Sequence, residues 1–407
     1  MSHVGSSASF SKTLKETLTA FMFNVGGLLA GFTVASYLGV FQLSSGQWAI
    51  ALFPAVMGAK AVIEGLLSGR LSTALHLGTV YPRFSGNTKQ FYKLIEAVVV
   101  LTLATSVTMS AISLGFGYFF WGVTFGDFPG MLSVVVATMT MGLALLAVTI
   151  QVAFVSYKRG LDPDIVVYPV MSTVANVFIT VCYVLILHLF FSYDSVGKWT
   201  VAIVGLAHLL LVLYLLTRNL REPDFVKTIR ESLAALLIVA FIFNVTGTVL
   251  RGISGFANNR REFYTVYPAL IGLVSGVGSV VGSTATTKLA LGLLKPRLSS
   301  IVNHAKTVLS AWIASIVMFV LLGVAALLMH GVLSPAAFYN YIAVLLVANV
   351  FAVVLIVLLS YAVSILAFQK GLDPGNFVIP IEASFAASIT SVALLAALML
   401  LGLGGGA

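Results

Sequence analysis

Apolar runs long enough to cross a lipid bilayer follow one another along nearly the whole chain. A helix needs about 18 or more apolar residues to span the hydrocarbon core. Backbone that meets lipid must satisfy its hydrogen bonds internally, which leaves such a chain helices or a closed barrel, and runs of this length point to helices. Composition agrees, with 59% of residues hydrophobic and 9% charged, against about 25% charged in a soluble domain. The longest polar stretches, residues 82–93 and 218–231, are loop-sized, so no soluble domain fits between the spans. The first apolar segment, Leu18 to Gly39, exceeds a secretory h-region and is expected to remain as a transmembrane helix. Cys182, the single cysteine, lies within an apolar run and forms no internal disulfide.

The apolar pattern is punctuated twice by the same phrases. Phe53-Pro54-Ala55-Val56-Met57-Gly58, followed by Leu75-His76-Leu77-Gly78 and Tyr81-Pro82-Arg83, returns 214 residues later as Tyr267-Pro268-Ala269-Leu270-Ile271-Gly272, Leu289-Ala290-Leu291-Gly292 and Lys295-Pro296-Arg297. Gly160-Leu161-Asp162-Pro163, with Pro169 six residues on, returns as Gly371-Leu372-Asp373-Pro374 with Pro380. Two markers recurring in one order at nearly one offset indicate a duplicated unit, and duplicated hydrophobic units are the build of transporters with a path between the halves.

Eleven spans are expected, at about 17–40, 47–69, 94–121, 131–157, 165–191, 199–217, 232–254, 264–287, 305–329, 338–367 and 377–403. The helices at Pro54 and Pro268 have the option of breaking and continuing as re-entrant pieces toward Gly78 and Gly292. Of the 22 Lys and Arg residues, only Lys198, Arg251, Arg260 and Arg261 fall at the outer ends when the N-terminus is placed inside. The net charge of +9 is thereby explained by anionic inner-leaflet lipid, with no nucleic-acid partner. Each repeat holds five crossings, at 14–195 and 225–403, and the unpaired span 199–217 restores parity. The expected fold is therefore all-α, with two like-oriented five-helix repeats related by an axis along the membrane normal and the C-terminus outside.

Lys60 and Glu64 lie four residues apart on one helix face. A mid-membrane charge costs a few kcal/mol, so Glu64 needs a wet path or a partner. It is either half of an internal ion pair or part of a cation site tuned by the lysine. The second copy has Gly272, Gly276, Gly278 and Gly282 followed by Ser283, Thr284, Thr286 and Thr287. These glycines allow close helix packing, or expose carbonyls along a pathway that Gly58 would line in the first copy. Asp162, Asp164 and Asp373 stand where a helix N-terminus accepts an acid, and they are also placed to collect cations at a pore mouth. Pro169 and Pro380 are expected to interrupt the helical ladder, on helices carrying Ser172, Thr173 and Asn176 in one copy and Glu382, Ser384 and Ser388 in the other. Glu382 has no explanation unless something polar passes nearby. Asn24 and Asn244 recur in Phe-Asn-Val, where they bridge helices or face a pathway. The histidines have no ligand spacing that would predict a tetrahedral zinc site. No catalytic motif and no cofactor motif appears in context.

The residues from Pro54 through Lys60, Glu64, Ser68 and Arg70 to Ala74 resemble the second-helix signature of MgtE-type magnesium channels and the animal solute carrier family 41. The two Gly-Leu-Asp-Pro phrases with their prolines resemble that family's fifth-helix signature. The resemblance spans both repeats and implies a divalent-cation path, chiefly for Mg²⁺, lined by the second and fifth helices, in a fused form without the bacterial sensor domains. The family's pore aspartate falls at Asn176 and Ala387, and Gly278 stands where the first copy has Glu64. Glu382 is the candidate compensating acid. Magnesium is held by one or two carboxylates plus neutral oxygens, often through water, so a path with few acids suits it. An inside-negative potential of about 100 mV favours entry of a doubly charged ion by about 4.6 kcal/mol. Two other readings stand beside divalent-cation transport: a proton- or sodium-coupled transporter of another solute, and a non-transporting scaffold or receptor. A fused pair supplies both walls of a pathway, so the chain is expected to act as a monomeric pseudo-dimer.

Overall fold

The computed structural model describes residues 10–28, 48–120, 122–253, 261–331 and 334–401. The outer part of the first expected span, and Arg260, lie outside the described residues. No strand occurs among them. The helices are α1 (Phe10–Met22), α2 (Phe53–Leu77), α3 (Lys89–Phe120), α4 (Phe128–Gly142), α5 (Leu145–Lys158), α6 (Pro163–Ser192), α7 (Asp194–Asn219), α8 (Pro223–Ile253), α9 (Arg261–Ala290), α10 (Ala305–Met329), α11 (Pro335–Gln369) and α12 (Val378–Leu400). Among the described residues, eight helices are long and apolar enough to cross a membrane. α2 is not one of them, because any 18 residues of it include Lys60, Glu64 and Arg70. It is buried on nearly every side by other helices, where those charges meet protein and not lipid.

The repeated phrases end and begin helices. Gly78 and Gly292, and likewise Gly160 and Gly371, hold φ near +70°, a left-handed turn that costs glycine nothing and lets the chain leave a helix. Asp162 Oδ1 then accepts the Asp164 N–H at 3.0 Å, and Asp373 Oδ1 accepts the Gly375 N–H at 2.9 Å. Both aspartates are thus helix caps.

Three expectations change. α2 and α9 run unbroken, with Pro54 in the first turn of α2, where a missing N–H costs no bond. Pro380 falls in the first turn of α12 and interrupts nothing, whereas Pro169 does lie inside α6. The span expected at 131–157 is one of the eight, running from Phe125 to Lys158, but it is broken into α4 and α5, with Leu143 and Leu146 bonded i to i−3 between them as in a 3₁₀ turn.

Each half contributes its first helix to the other half's core. Phe21 and Leu28 are buried among Leu270, Val274, Ala314 and Met318, while Leu236, Val239 and Ala240 of α8 are buried with Leu66, Val98 and Leu101. α1 accordingly packs on α10, and α8 on α3. α2 lies between α6 of its own half and α12 of the other, and α9 likewise between α12 and α6. α7 packs on α3, α4 and α6, and shows Trp199, Ile203, Leu210 and Tyr214 to its surroundings, a lipid-facing pattern.

Candidate ion-binding site

Three groups of buried polar residues concern the site. In the first half, Lys60 Nζ lies 2.7 Å from Glu64 Oε2, and it donates to the Ser172 carbonyl and to Asn176 Oδ1, both at 3.0 Å. The ammonium therefore has three oxygens around it, and the pair stands only 5% and 6% exposed. Glu64 Oε1 makes no hydrogen bond. Lys60 and Glu64 line a small cavity of about 30 Å³ with Ile63, Thr102, Gly142, Leu143 and Ala175. It opens where α4 gives way to α5, inside the first half and away from the contact between halves.

The second half differs. Glu382 is fully buried, Oε1 accepts from Ser275 Oγ at 3.2 Å, and Oε2 has no hydrogen-bond partner. A side chain at position 278 would put its Cβ 2.5 Å from that Oε2, so Gly278 supplies the room the carboxylate fills. The acid has moved from the second helix of the unit to the fifth. Tyr168, from the first half, shares Ser275 through its hydroxyl at 3.2 Å and packs on Ile379 and Ala383. The chain Tyr168, Ser275, Glu382 crosses the contact between the halves.

The third group lies near the C-terminal ends of α2 and α9. Thr73 Oγ1 lies 3.2 Å from Thr287 Oγ1, and these residues are 214 positions apart, the offset of the repeat itself. Hydroxyls in hydrogen-bond contact leave no opening for an ion between them. Arg70 joins the halves alongside, 3.3 Å from Asp373 Oδ2 and bonded to Thr228 and to Asn376. Asp162 and Asp164 stand apart from Asp373, next to His76 at 3.6 and 3.7 Å.

The remaining expected residues brace helices. Thr173 donates to Asn24 Oδ1 at 3.2 Å, Ser113 to Asn244 Oδ1 at 3.1 Å, and Ser384 to the Ile381 carbonyl at 2.6 Å. Gly272 and Gly58 are close-packing positions, where an added Cβ would come within 2.6 Å of Asn24 and of Phe243. Glu16 and Glu231 were missed by sequence reasoning. They accept the backbone N–H of Asp162 and of Asp373 at 3.4 and 3.1 Å, each with a lysine one turn earlier. The signal was present as Phe10 to Glu16 recurring as Phe225 to Glu231, with Lys, Thr and Glu in register.

A helical multi-pass membrane protein, built twice from one unit and holding an unpaired carboxylate where the copies meet, has the form of an ion transporter. The family profile of MgtE, described as divalent cation transporter, matches residues 53–186 and again 267–399. The chain belongs to this family, a family of transporters and not of enzymes. Searches of curated proteins and of solved structures gave no match.

Proposed function

We propose that the chain carries Mg²⁺ across the cell membrane along the contact between two like-oriented halves, with eleven crossings, an inner N-terminus and an outer C-terminus. Glu382 carries the reading. A buried carboxylate oxygen with no donor costs several kcal/mol unless a cation or proton answers it, and this one lies beside the residues that bridge the halves. Ser275, Ser279 and Ser360, all buried, add the neutral oxygens that a partly hydrated Mg²⁺ prefers. Ser279 and Ser360 hydroxyls also lack partners. In the first half the carboxylate of Glu64 is taken up by Lys60, so one carboxylate, and not a symmetric pair, meets the ion. The inner end is closed at Thr73 and Thr287, and opening requires those helices to separate. Each half supplies a wall, so one chain is sufficient.

The test is flux into liposomes carrying the purified protein, with Mg²⁺, Ca²⁺ and Mn²⁺ compared. Mg²⁺ entry driven by an inside-negative potential is expected, and entry of none of the three would overturn the reading. The axis contact gives a sharper form. In a Thr73→Cys/Thr287→Cys protein, oxidation is expected to join the two cysteines and reduce flux to background, with reduction restoring it. The native Cys182 is buried and contributes little background. Cross-linked protein that still conducts would remove the axis from the pathway.

A further inference from the structure

We propose that His76, Asp162 and Asp164 form a second metal site, at the inner rim of the first half, for a borderline-soft divalent ion of the zinc type. One ligand atom from each of the three lies within 4.8 Å of the others. His76 Nδ1 is 2.9 Å from the Ser72 carbonyl. A carbonyl only accepts, so Nδ1 carries the hydrogen and Nε2 keeps the lone pair, the arrangement that orients metal-binding histidines. Nε2 is 3.6 Å from Asp162 Oδ1, and Nδ1 is 3.7 Å from Asp164 Oδ2, both too far for a hydrogen bond. Two donors each about 2.1 Å from one ion are separated by about 3.0 to 3.5 Å, so the set, whose atoms lie within 4.8 Å of one another, closes by side-chain rotation that brings Asp164 toward Nε2.

Asp164 supplies the independent sign of a ligand. Its side chain is 1% exposed and its Oδ1 has no hydrogen-bond partner. An orphaned buried acceptor destabilises the fold, and an ion held with Nε2 and Asp162 would satisfy it. Two other charged groups face the cluster: Glu16, whose carboxylate accepts the Asp162 N–H at 3.4 Å, and Lys288 of α9, which acts on both carboxylates and lies 3.1 Å from His304 Nδ1. The lysine compensates the two aspartate charges when no ion is bound and opposes the ion when one is. Elsewhere the described histidines are engaged: His188 with Ser192, His208 with Thr140 and Val99, His304 with Thr284, and His330 with Thr265.

The imidazole decides the ion class. Mg²⁺ takes oxygen ligands in a near-octahedral shell and keeps its water, whereas nitrogen with two carboxylates suits zinc and its neighbours. The site is also single. The equivalent positions in the second half are Ala290, Asp373 and Gly375, and Asp373 is held by Arg70. One ion per chain follows, and the site does not depend on Mg²⁺ being the transported ion.

Calorimetric titration of the full-length protein with Zn²⁺ in a large excess of Mg²⁺ tests this. One equivalent is expected to bind, and His76→Ala and Asp164→Asn are each expected to weaken it by at least about 100-fold, the upper end for loss of an outer-shell partner. Equal Zn²⁺ binding by wild type and His76→Ala, or displacement of Zn²⁺ by Mg²⁺ at comparable concentration, would overturn the proposal. Should His76→Ala not fold, the visible spectrum of Co²⁺ bound to wild type takes its place: a nitrogen-containing ligand field supports the site and an all-oxygen field overturns it. Liposomes that fail to pass Mg²⁺ would sink the transport reading while leaving the zinc result standing, so the two fail separately.

Discussion

Glu382→Gln is expected to lower Mg²⁺ flux in reconstituted liposomes by more than about tenfold, a loss of about 1.4 kcal/mol or more of ion stabilisation, while leaving the protein as stable as wild type or more so. The substitution keeps the size of the side chain and an oxygen for the Ser275 hydroxyl. It removes the ionisable carboxyl group that now lies fully buried with an unanswered oxygen. A group that costs stability and is needed for activity marks a functional site, whereas a structural group raises both together. Measured flux and the melting temperature in metal-free detergent should therefore move in opposite directions, or flux alone should fall. Wild-type flux in Glu382→Gln would show that this carboxylate never meets the ion, and with it would go the pathway proposed here.

Lys60→Met is expected to destabilise the protein by about 3–5 kcal/mol, because it strands Glu64 as a buried charge without its partner. Lys60→Met/Glu64→Leu should recover most of that loss, since replacing both members of a buried pair by apolar groups is often neutral. Thermal melting of the two variants against wild type gives the comparison. Equal stability of the single and double variants would mean that the pair, at 2.7 Å, does not hold α2 in place. The single variant carries a second expectation. With the ammonium gone, Glu64, Asn176 Oδ1 and the Ser172 carbonyl form an oxygen cluster, so millimolar Mg²⁺ should stabilise Lys60→Met more than it stabilises wild type.

The doubled helical plan was legible because the residues that fix it are local. A left-handed glycine, a capping aspartate and a proline sit within a few positions of one another, and the same trio recurs at Gly160 and Gly371. Most helices follow from apolar length, while the break after Gly142 escaped; Gly142 packs closely on Ile179 of α6, whose Cδ1 would lie 2.7 Å from a Cβ at 142. The site was less legible. Lys60 and Glu64 pair within one helix, so their spacing gives the contact, but it does not show that Asn176 completes the ammonium's shell across 116 residues. Glu382 could be named as unexplained, yet its tie to Gly278 is a fact of packing between α9 and α12. His76 meets Asp162 and Asp164 through the fold, and no sequence spacing announces it. Glu16 and Glu231 were readable as a repeat and were hidden by the stronger Phe-Asn-Val coincidence nearby.

The exchange of first helices sets the order in which this protein can be made. α1 leaves the ribosome first, but the surface that buries Phe21 belongs to α9 and α10, the latter beginning only at Ala305. At about 5–20 residues per second, α1 waits about 15 to 60 s for its seat. During biogenesis it must rest in lipid or against the insertion machinery. The halves therefore mature together, and truncation anywhere before α10 leaves a membrane-inserted intermediate with its opening segment unhoused.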